Sequence, residues 1–283
     1  MSDYANPEAL VSTAWLADHL RDPDIRILDV DEDTEAYGRG HIPGAIGVHW
    51  RNDLQAPLER DFIGPEQFAK LCDRYGIGRD TKVILYGGNK NWFAAYAYWY
   101  FKYYGHTAVQ LVDGGRKKWE LEGRTLVTDA PRVAATGGYP VSQGNDAIRA
   151  YRDQVARDYL GQAGKGLVDV RSPEEFRGES LAPAHLPQEG AQRGGHIPGA
   201  RNIPWSKAVD PEQETFLSAD RLSQLYQGEG ITPDQEVVAY CRIGERSAHT
   251  WFVLRELLGY PNVRNYDGSW TEWGSLVRAP IEK

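Results

Sequence analysis

Glu236-Val237-Val238-Ala239-Tyr240-Cys241-Arg242-Ile243-Gly244-Glu245-Arg246-Ser247 carries the chain from one kind of element to another. Val237 to Tyr240 is short, apolar and rich in β-branched residues, as a buried strand is. Ala248 to Leu258 then reads as a helix, closed by Gly259 and Pro261. Cys241 therefore falls at the C-terminal end of a strand, in a tight loop that leads to a helix N-terminus. Unpaired amides and the positive end of the helix dipole favour negative charge there. With Arg242 and Arg246 alongside, the Cys241 thiol is expected to have a depressed pKa and to be nucleophilic at neutral pH. The alternative is a small buried hydrophobe, a common fate of a free cysteine. Two guanidinium groups would have no purpose around a cysteine that only packs.

The same grammar is written twice. Ile25 to Val30 leads to Gly40-His41-Ile42-Pro43-Gly44-Ala45, and Gly166 to Arg171 leads to Gly195-His196-Ile197-Pro198-Gly199-Ala200. Lys82 to Tyr86 matches Glu236 to Tyr240, and Leu111-Val112-Asp113-Gly114 matches Asn265-Tyr266-Asp267-Gly268. The offsets agree: 196 − 41 = 155, 240 − 86 = 154 and 267 − 113 = 154. The offset 169 − 29 is only 140, so the second copy has about 15 extra residues before its histidine. That insertion, around 178–193, contains Pro, Gly and Gln and reads as a loop. Two long copies fit tandem domains better than a solenoid. Each alternates short apolar strands with amphipathic helices, which predicts an α/β fold with a mostly parallel sheet and helices on both faces. The expected boundaries are a first domain over 1–124, an extended linker over 125–146 and a second domain over 147–283. Ligands of such sheets bind beyond the C-terminal strand ends, where Cys241 lies.

Composition narrows the function classes. The 283 residues are 41% hydrophobic and 25% charged, ordinary values for a water-soluble protein. A formal net charge of −8, with no basic block, argues against nucleic-acid and membrane-surface partners. No apolar run approaches the length of a membrane span, and Met1 to Glu8 does not open a signal peptide. Two cysteines, Cys72 and Cys241, make no disulfide framework and suit a reducing cytoplasm. Cys72 lies in an apparent helix ending at Gly76 and reads as packing. His41 and His196 sit in separate copies with no further ligands at metal-binding spacing, so no metal or other cofactor is expected. The adjoining Pro-Gly turn suggests instead that each histidine bonds backbone, and that Asp29 and Asp169 tie loops together.

Comparing the copies separates scaffold from chemistry. Opposite Cys241-Arg242-Ile243-Gly244-Glu245-Arg246-Ser247 the first copy has Gly87-Gly88-Asn89-Lys90-Asn91-Trp92-Phe93. The flanking strand and helix persist, while the nucleophile and both arginines are lost. The unshared residues are the candidate site, and the first domain is expected to be non-catalytic.

These motifs resemble the tandem-domain rhodanese family, the thiosulfate sulfurtransferases. Tyr37 to Val48 matches the family's N-terminal signature, Tyr266-Asp267-Gly268-Ser269-Trp270-Thr271-Glu272-Trp273 its C-terminal one, and Cys241 opens a six-residue loop of the family's kind. The resemblance spans nearly the whole chain. It implies a catalytic second domain and a double displacement in which Cys241 takes the outer sulfur of thiosulfate, sulfite leaves, and a cysteine persulfide passes the sulfur to cyanide or a low-molecular thiol. The loop amides of Ile243, Gly244, Glu245 and Ser247 would form an anion-holding nest. Arg246 would hold the dianionic donor by bidentate bonds. Arg242 stands where thiosulfate-type members carry a basic residue and mercaptopyruvate-type members carry Gly, so thiosulfate is the expected donor and 3-mercaptopyruvate the alternative. Two departures stand out. Many animal relatives have an arginine aligned with Glu175, for which Arg177 is a substitute two residues on. Glu245 puts a negative charge in the loop, opposing a dianion unless it pairs outward. Arg171 and Arg177 are open between site residues and structural ion pairs.

Two rivals remain. Cysteine-dependent phosphatases use a similar strand–loop–helix nest, but with five residues between cysteine and arginine, where this chain has four. The shorter loop suits one sulfur atom better than a phosphate, and no general acid for a leaving alcohol stands out. A non-catalytic sulfur carrier or regulatory module is the other class, against which the presence of Cys241 speaks. Delivery of sulfur to a protein acceptor stays open.

Overall fold

A computed structural model describes residues 3–183 and 190–283. The chain divides into two compact units. The N-terminal unit comprises Glu8–Asn145 and Val209–Phe216; the C-terminal unit comprises Met1–Pro7, Asp146–Ala208 and Leu217–Lys283.

The N-terminal unit runs β1 (Leu10–Val11), α1 (Thr13–His19), β2 (Ile25–Asp29), α2 (Ala36–Arg39), β3 (Ile46–Gly47), α3 (Trp50–Asp53), α4 (Pro65–Arg74), β4 (Lys82–Tyr86), α5 (Trp92–Tyr103), β5 (Val109–Val112) and α6 (Gly115–Leu121). Ser12 starts α1 by accepting the Trp15 amide on its hydroxyl at 3.0 Å. The strands pair in parallel in the order β1-β5-β4-β2-β3. Val83, Ile84, Leu85 and Tyr86 are all buried in succession, which requires cover on both faces of the sheet. Cys72 on α4 is fully buried, and burial pushes its thiol up, as suits a packing residue.

Residues 125–145 belong to this unit. His41 and Val127 exchange backbone bonds of 2.9 Å, and Asp73 accepts from the Thr136 hydroxyl and the Gly137 and Gly138 amides. The Val209–Phe216 segment is a short antiparallel turn belonging to the same unit. Its Phe216 amide donates to Asp113 at 2.9 Å, and its Glu214 accepts the Lys90 amide at 2.7 Å.

The C-terminal unit repeats the plan: α7 (Arg152–Asp158), β6 (Lys165–Asp169), α8 (Pro173–Phe176), β7 (Arg201–Asn202), α9 (Ala219–Gln227), β8 (Glu236–Tyr240), α10 (Glu245–Phe252), β9 (Val263–Tyr266) and α11 (Ser269–Trp273). Its parallel order is β7-β6-β8-β9, and Arg149 pairs with Asn265 where β1 stands in the first copy. Both units are thus α/β sandwiches of one design. Each buries a tyrosine at the end of its central strand. The Tyr86 hydroxyl receives the Ile42 amide and donates to Asp29; the Tyr240 hydroxyl receives the Ile197 amide beside Asp169. The duplicated His-Ile-Pro-Gly turn is thereby hung from the strand that carries the loop.

One helix departs from the sequence reading. A single helix over Ala248 to Leu258 is expected, but α10 begins three residues earlier, at Glu245, and Val253–Leu257 winds as a π-helical turn. Glu245, Arg246 and Ser247 therefore sit in the first helical turn. Of the 178–193 insertion, residues 184–189 lie outside the described residues. Nearer its end, the Arg193 carbonyl accepts the Trp270 indole N–H at 2.9 Å.

Candidate active site

Cys241 follows β8 directly, and the segment from Tyr266 to Thr271 clamps its backbone. The Cys241 amide donates to the Ser269 hydroxyl at 3.0 Å, and its carbonyl accepts from the Trp270 amide at 3.0 Å. The Arg242 carbonyl accepts from the Thr271 amide at 3.0 Å. Ser269 holds a left-handed φ of 52°, and Gly115 stands at the matching place in the first copy with φ 51°. Gly244 turns the loop into α10 at φ 97°, where a Cβ would meet Asp267 Cα at 2.6 Å. Its carbonyl is held by Asn265, which also receives the Ser247 hydroxyl at 2.6 Å.

The sulfur faces an amide donor and a carboxylate, with the Ser247 side chain also bonded to it. The Gly244 amide donates to Cys241 Sγ at 3.2 Å, and Sγ donates to Glu245 Oε2 at 3.1 Å. Glu245 Oε2 also accepts the Ile243 amide at 3.1 Å. Its Oε1 lies 3.4 Å from Arg242 Nη2 and 3.8 Å from Arg246 Nε. Cys241, Glu245 and Ser247 have no exposed surface.

Three expectations are corrected here. The thiol is not depressed: burial pushes the Cys241 pKa up, the Glu245 carboxylate adds to this, and Arg246 and Ser247 only partly offset it. The two arginines act less on the sulfur because a carboxylate stands among them. Glu245 does not pair outward; it turns in, onto the sulfur and the Ile243 amide, so of the expected nest the Gly244 amide is the one on Sγ. Arg246 is also engaged: its Nη1 and Nη2 fork onto Glu175 at 2.7 and 3.0 Å, both side chains being at most 5% exposed.

Glu175, noted in the sequence only as the place of a missing arginine, is the residue that sequence reasoning left out of the site. It ends a capping box in which the Ser172 hydroxyl accepts the Glu175 amide at 3.2 Å and Glu175 accepts the Ser172 amide at 3.0 Å. The Ser172-Pro173-Glu174-Glu175 spacing carries that signal in the sequence. Burial opposes its charge, but the Arg246 bonds prevail and hold its carboxyl below the usual range. Ser269 and Asn265 were likewise missed, although both lie beside or within the C-terminal signature.

Arg177 does not join these residues. As the residue after α8 it turns to the surface, half-exposed, and bonds Glu179 at 2.7 and 2.9 Å. Arg171 is wholly buried and structural, paired with Asp169 at 2.6 Å and stacked over Trp270. His41 and His196 do bond backbone, to the Tyr37 and Phe176 carbonyls at 3.0 and 2.9 Å. In the first copy the equivalent loop is filled by its own side chains. Asn91 accepts the Gly87 amide and donates to the Val112 carbonyl, while Asp31 accepts the Gly88 amide.

A buried cysteine at the end of a central parallel strand, with an amide on its sulfur and a glycine-turned helix start behind it, defines a sulfur-handling or phosphoryl-handling cysteine protein. The rhodanese-like domain pattern matches twice, over residues 12–122 and 153–276, and the chain belongs to that family. It is 60% identical over 275 residues to a Saccharopolyspora erythraea protein named "Putative thiosulfate sulfurtransferase", covering 97% of this chain and 96% of that one. It is 57% identical over 282 residues to a Thermus thermophilus protein named "Sulfur carrier protein TtuD", covering 99% and 98%. Among solved structures, the anaerobic ergothioneine biosynthesis enzyme from Chlorobium limicola superposes with a TM-score of 0.86 at 23% identity, over 100% of this chain and 72% of that one, which shows the fold alone. Family membership supports sulfur transfer as the activity. Among the described residues, no helix is long and apolar enough to cross a membrane.

Proposed function

We propose that this chain is a thiosulfate sulfurtransferase that carries sulfane sulfur on Cys241, with the N-terminal unit non-catalytic and the reaction cytoplasmic. The Cys241 thiolate attacks the outer sulfur of thiosulfate, the S–S bond breaks, and its electron pair leaves with sulfite. The product is the persulfide anion Cys–S–S⁻. Cyanide or another thiophile then attacks the outer sulfur and leaves with it, thiocyanate in the first case, returning the Cys241 thiolate. Arg246 and Arg242 are the donor's cationic partners, and the Gly244 amide faces the sulfur that gains charge.

The observation that carries this reading is the Gly244 N–H on Cys241 Sγ at 3.2 Å, in a loop whose first-copy twin has neither nucleophile nor arginines. Arg242 supports thiosulfate over 3-mercaptopyruvate. The name of the Thermus thermophilus relative supports a second acceptor class, a thiol or sulfur-accepting protein. The buried, unpaired Cys72 and Cys241 suit a reducing compartment.

The test is intact-mass and peptide analysis after incubation with thiosulfate, with 3-mercaptopyruvate in parallel. Gain of one sulfur on the Cys241 peptide, lost again on adding cyanide, is expected. A folded Cys241→Ser variant that still forms thiocyanate would refute the scheme.

A further inference from the structure

The scheme above needs a thiolate, yet the structure holds Cys241 as a buried thiol with its proton directed at a carboxylate. Sγ donates to Glu245 Oε2 at 3.1 Å, and both residues are wholly buried. We propose that Glu245 is a catalytic acid–base: it receives the Cys241 proton as thiosulfate binds and delivers it to the departing sulfite. The inference rests on the reading that Cys241 carries the sulfur, and it gives Glu245 a task beyond lending a loop amide.

Geometry supplies the trigger. In the resting site the Glu245 carboxylate is stabilised by Arg242 Nη2 at 3.4 Å, by Arg246 Nε at 3.8 Å and by the Ile243 amide at 3.1 Å. A bound dianion draws both guanidinium groups toward its own oxygens. Glu245 then loses its counter-charges while it still holds the Sγ contact through which the thiol must ionise. The proton passes from Sγ to Oε2, and Sγ attacks the outer sulfur of thiosulfate. As the sulfur–sulfur bond breaks, Oε2–H protonates a sulfite oxygen. Overall, Cys–SH and S₂O₃²⁻ give Cys–S–S⁻ and HSO₃⁻, conserving protons and charge. Glu245 returns to the carboxylate and to its arginines.

The two copies carry an independent argument. The position of Glu245 is Asn91 in the first copy, where the amide bonds the Gly87 N–H and the Val112 carbonyl. An asparagine serves the loop's hydrogen bonding without exchanging protons. The carboxylate occurs in the copy that has the thiol. The charged groups that bear on it are Cys241 and Arg242 from the loop and Arg246 from α10. Glu175 on α8 acts through Arg246, and Asp267, paired with Arg149, adjoins Gly244.

Single-turnover persulfide formation with thiosulfate, followed across pH in wild type and Glu245→Gln, is the experiment. The glutamine variant should react about 10²-fold or more slowly at neutral pH. Its rate should climb about tenfold per pH unit as direct thiol ionisation takes over. A Glu245→Gln rate equal to or above wild type at neutral pH overturns the proposal, because removing a negative charge beside the thiol would by itself ease ionisation. If that variant does not fold by circular dichroism, the wild-type solvent deuterium isotope effect decides: a value clearly above one is expected, and a value of one overturns the role. Absence of any sulfur adduct on wild-type Cys241 is a separate outcome, and it overturns the underlying sulfur-transfer reading as well.

Discussion

Replacing Glu175 with Gln should weaken the protein and, at the same time, improve its hold on thiosulfate. Glu175 and Arg246 form a forked pair at 2.7 and 3.0 Å with side chains 3% and 5% exposed. Removing one partner of a buried ion pair costs about 3–5 kcal/mol, because the other charge stays buried. Glutamine keeps the shape and one hydrogen bond, worth about 1 kcal/mol, so the expected loss is about 2–4 kcal/mol. The same figure bears on donor binding with the opposite sign. On the proposed reading thiosulfate competes with Glu175 for the Arg246 fork, and each 1.4 kcal/mol of that competition weakens binding about tenfold. The variant should therefore need at least about tenfold less thiosulfate for half-maximal persulfide formation. The pH dependence has a definite sign. Glu175 is depressed below its unfolded value, so its contribution to stability is complete above the unfolded pKa and is lost as pH falls through the folded one. Urea unfolding of both proteins at neutral and acid pH, alongside stopped-flow persulfide formation against thiosulfate concentration, reads all three effects. A less stable variant with an unchanged thiosulfate requirement would show that Arg246 does not hold the donor.

Three further outcomes follow from the same geometry. Arg246→Ala should raise the thiosulfate requirement in steady-state assays more than the cyanide requirement; equal effects on both would remove its assigned role. Gly244→Ala forces a Cβ to within 2.6 Å of Asp267 Cα at φ 97° and should cost about 1–2 kcal/mol for the left-handed backbone alone, with a larger loss of persulfide formation than of stability, measurable by urea titration and mass analysis. Asp113, raised to about 6 chiefly by burial, stabilises the fold below its unfolded pKa and loses that contribution as pH rises through about 6, so Asp113→Asn should flatten the wild-type decline in stability over that window.

Much of the architecture is legible in the sequence because it is written twice. A strand ending in Tyr86 or Tyr240 recurs at an offset of 154, and a turn beginning at His41 or His196 at 155. The structure gives the physical cause: each tyrosine hydroxyl receives the amide of the isoleucine after that histidine. The position of Cys241 is legible for the same reason, since a strand end and a helix start fix it from both sides. What the sequence conceals is which side chain answers which charge. Arg246 and Glu175 are 71 positions apart, and nothing in their local patterns says that they meet. Arg177, two residues from Glu175, looks an equal candidate in one dimension, but where α8 ends its side chain is directed to Glu179 and solvent.

The ionic arrangement around Cys241 also bears on how the proposed nucleophile rests before a donor arrives. Burial first, and the Glu245 carboxylate second, oppose ionisation of the Cys241 thiol, and Arg246 only partly offsets them. Glu175 and Glu245 match Arg242 and Arg246 with two anions inside the same buried region. On the proposed reading, a dianionic donor competes for the two guanidinium groups, whereas a neutral oxidant such as peroxide has no charge with which to do so. Activation of the sulfur is then conditional on the ligand that can accept two arginines. Glu175→Gln and Glu245→Gln should therefore act in opposite directions on persulfide formation at neutral pH, the first easing donor capture and the second removing the base. Their double variant should follow Glu245→Gln, since a well-held donor is of no use to a thiol that cannot release its proton. A double variant as fast as Glu175→Gln would show instead that both carboxylates act only as electrostatic brakes.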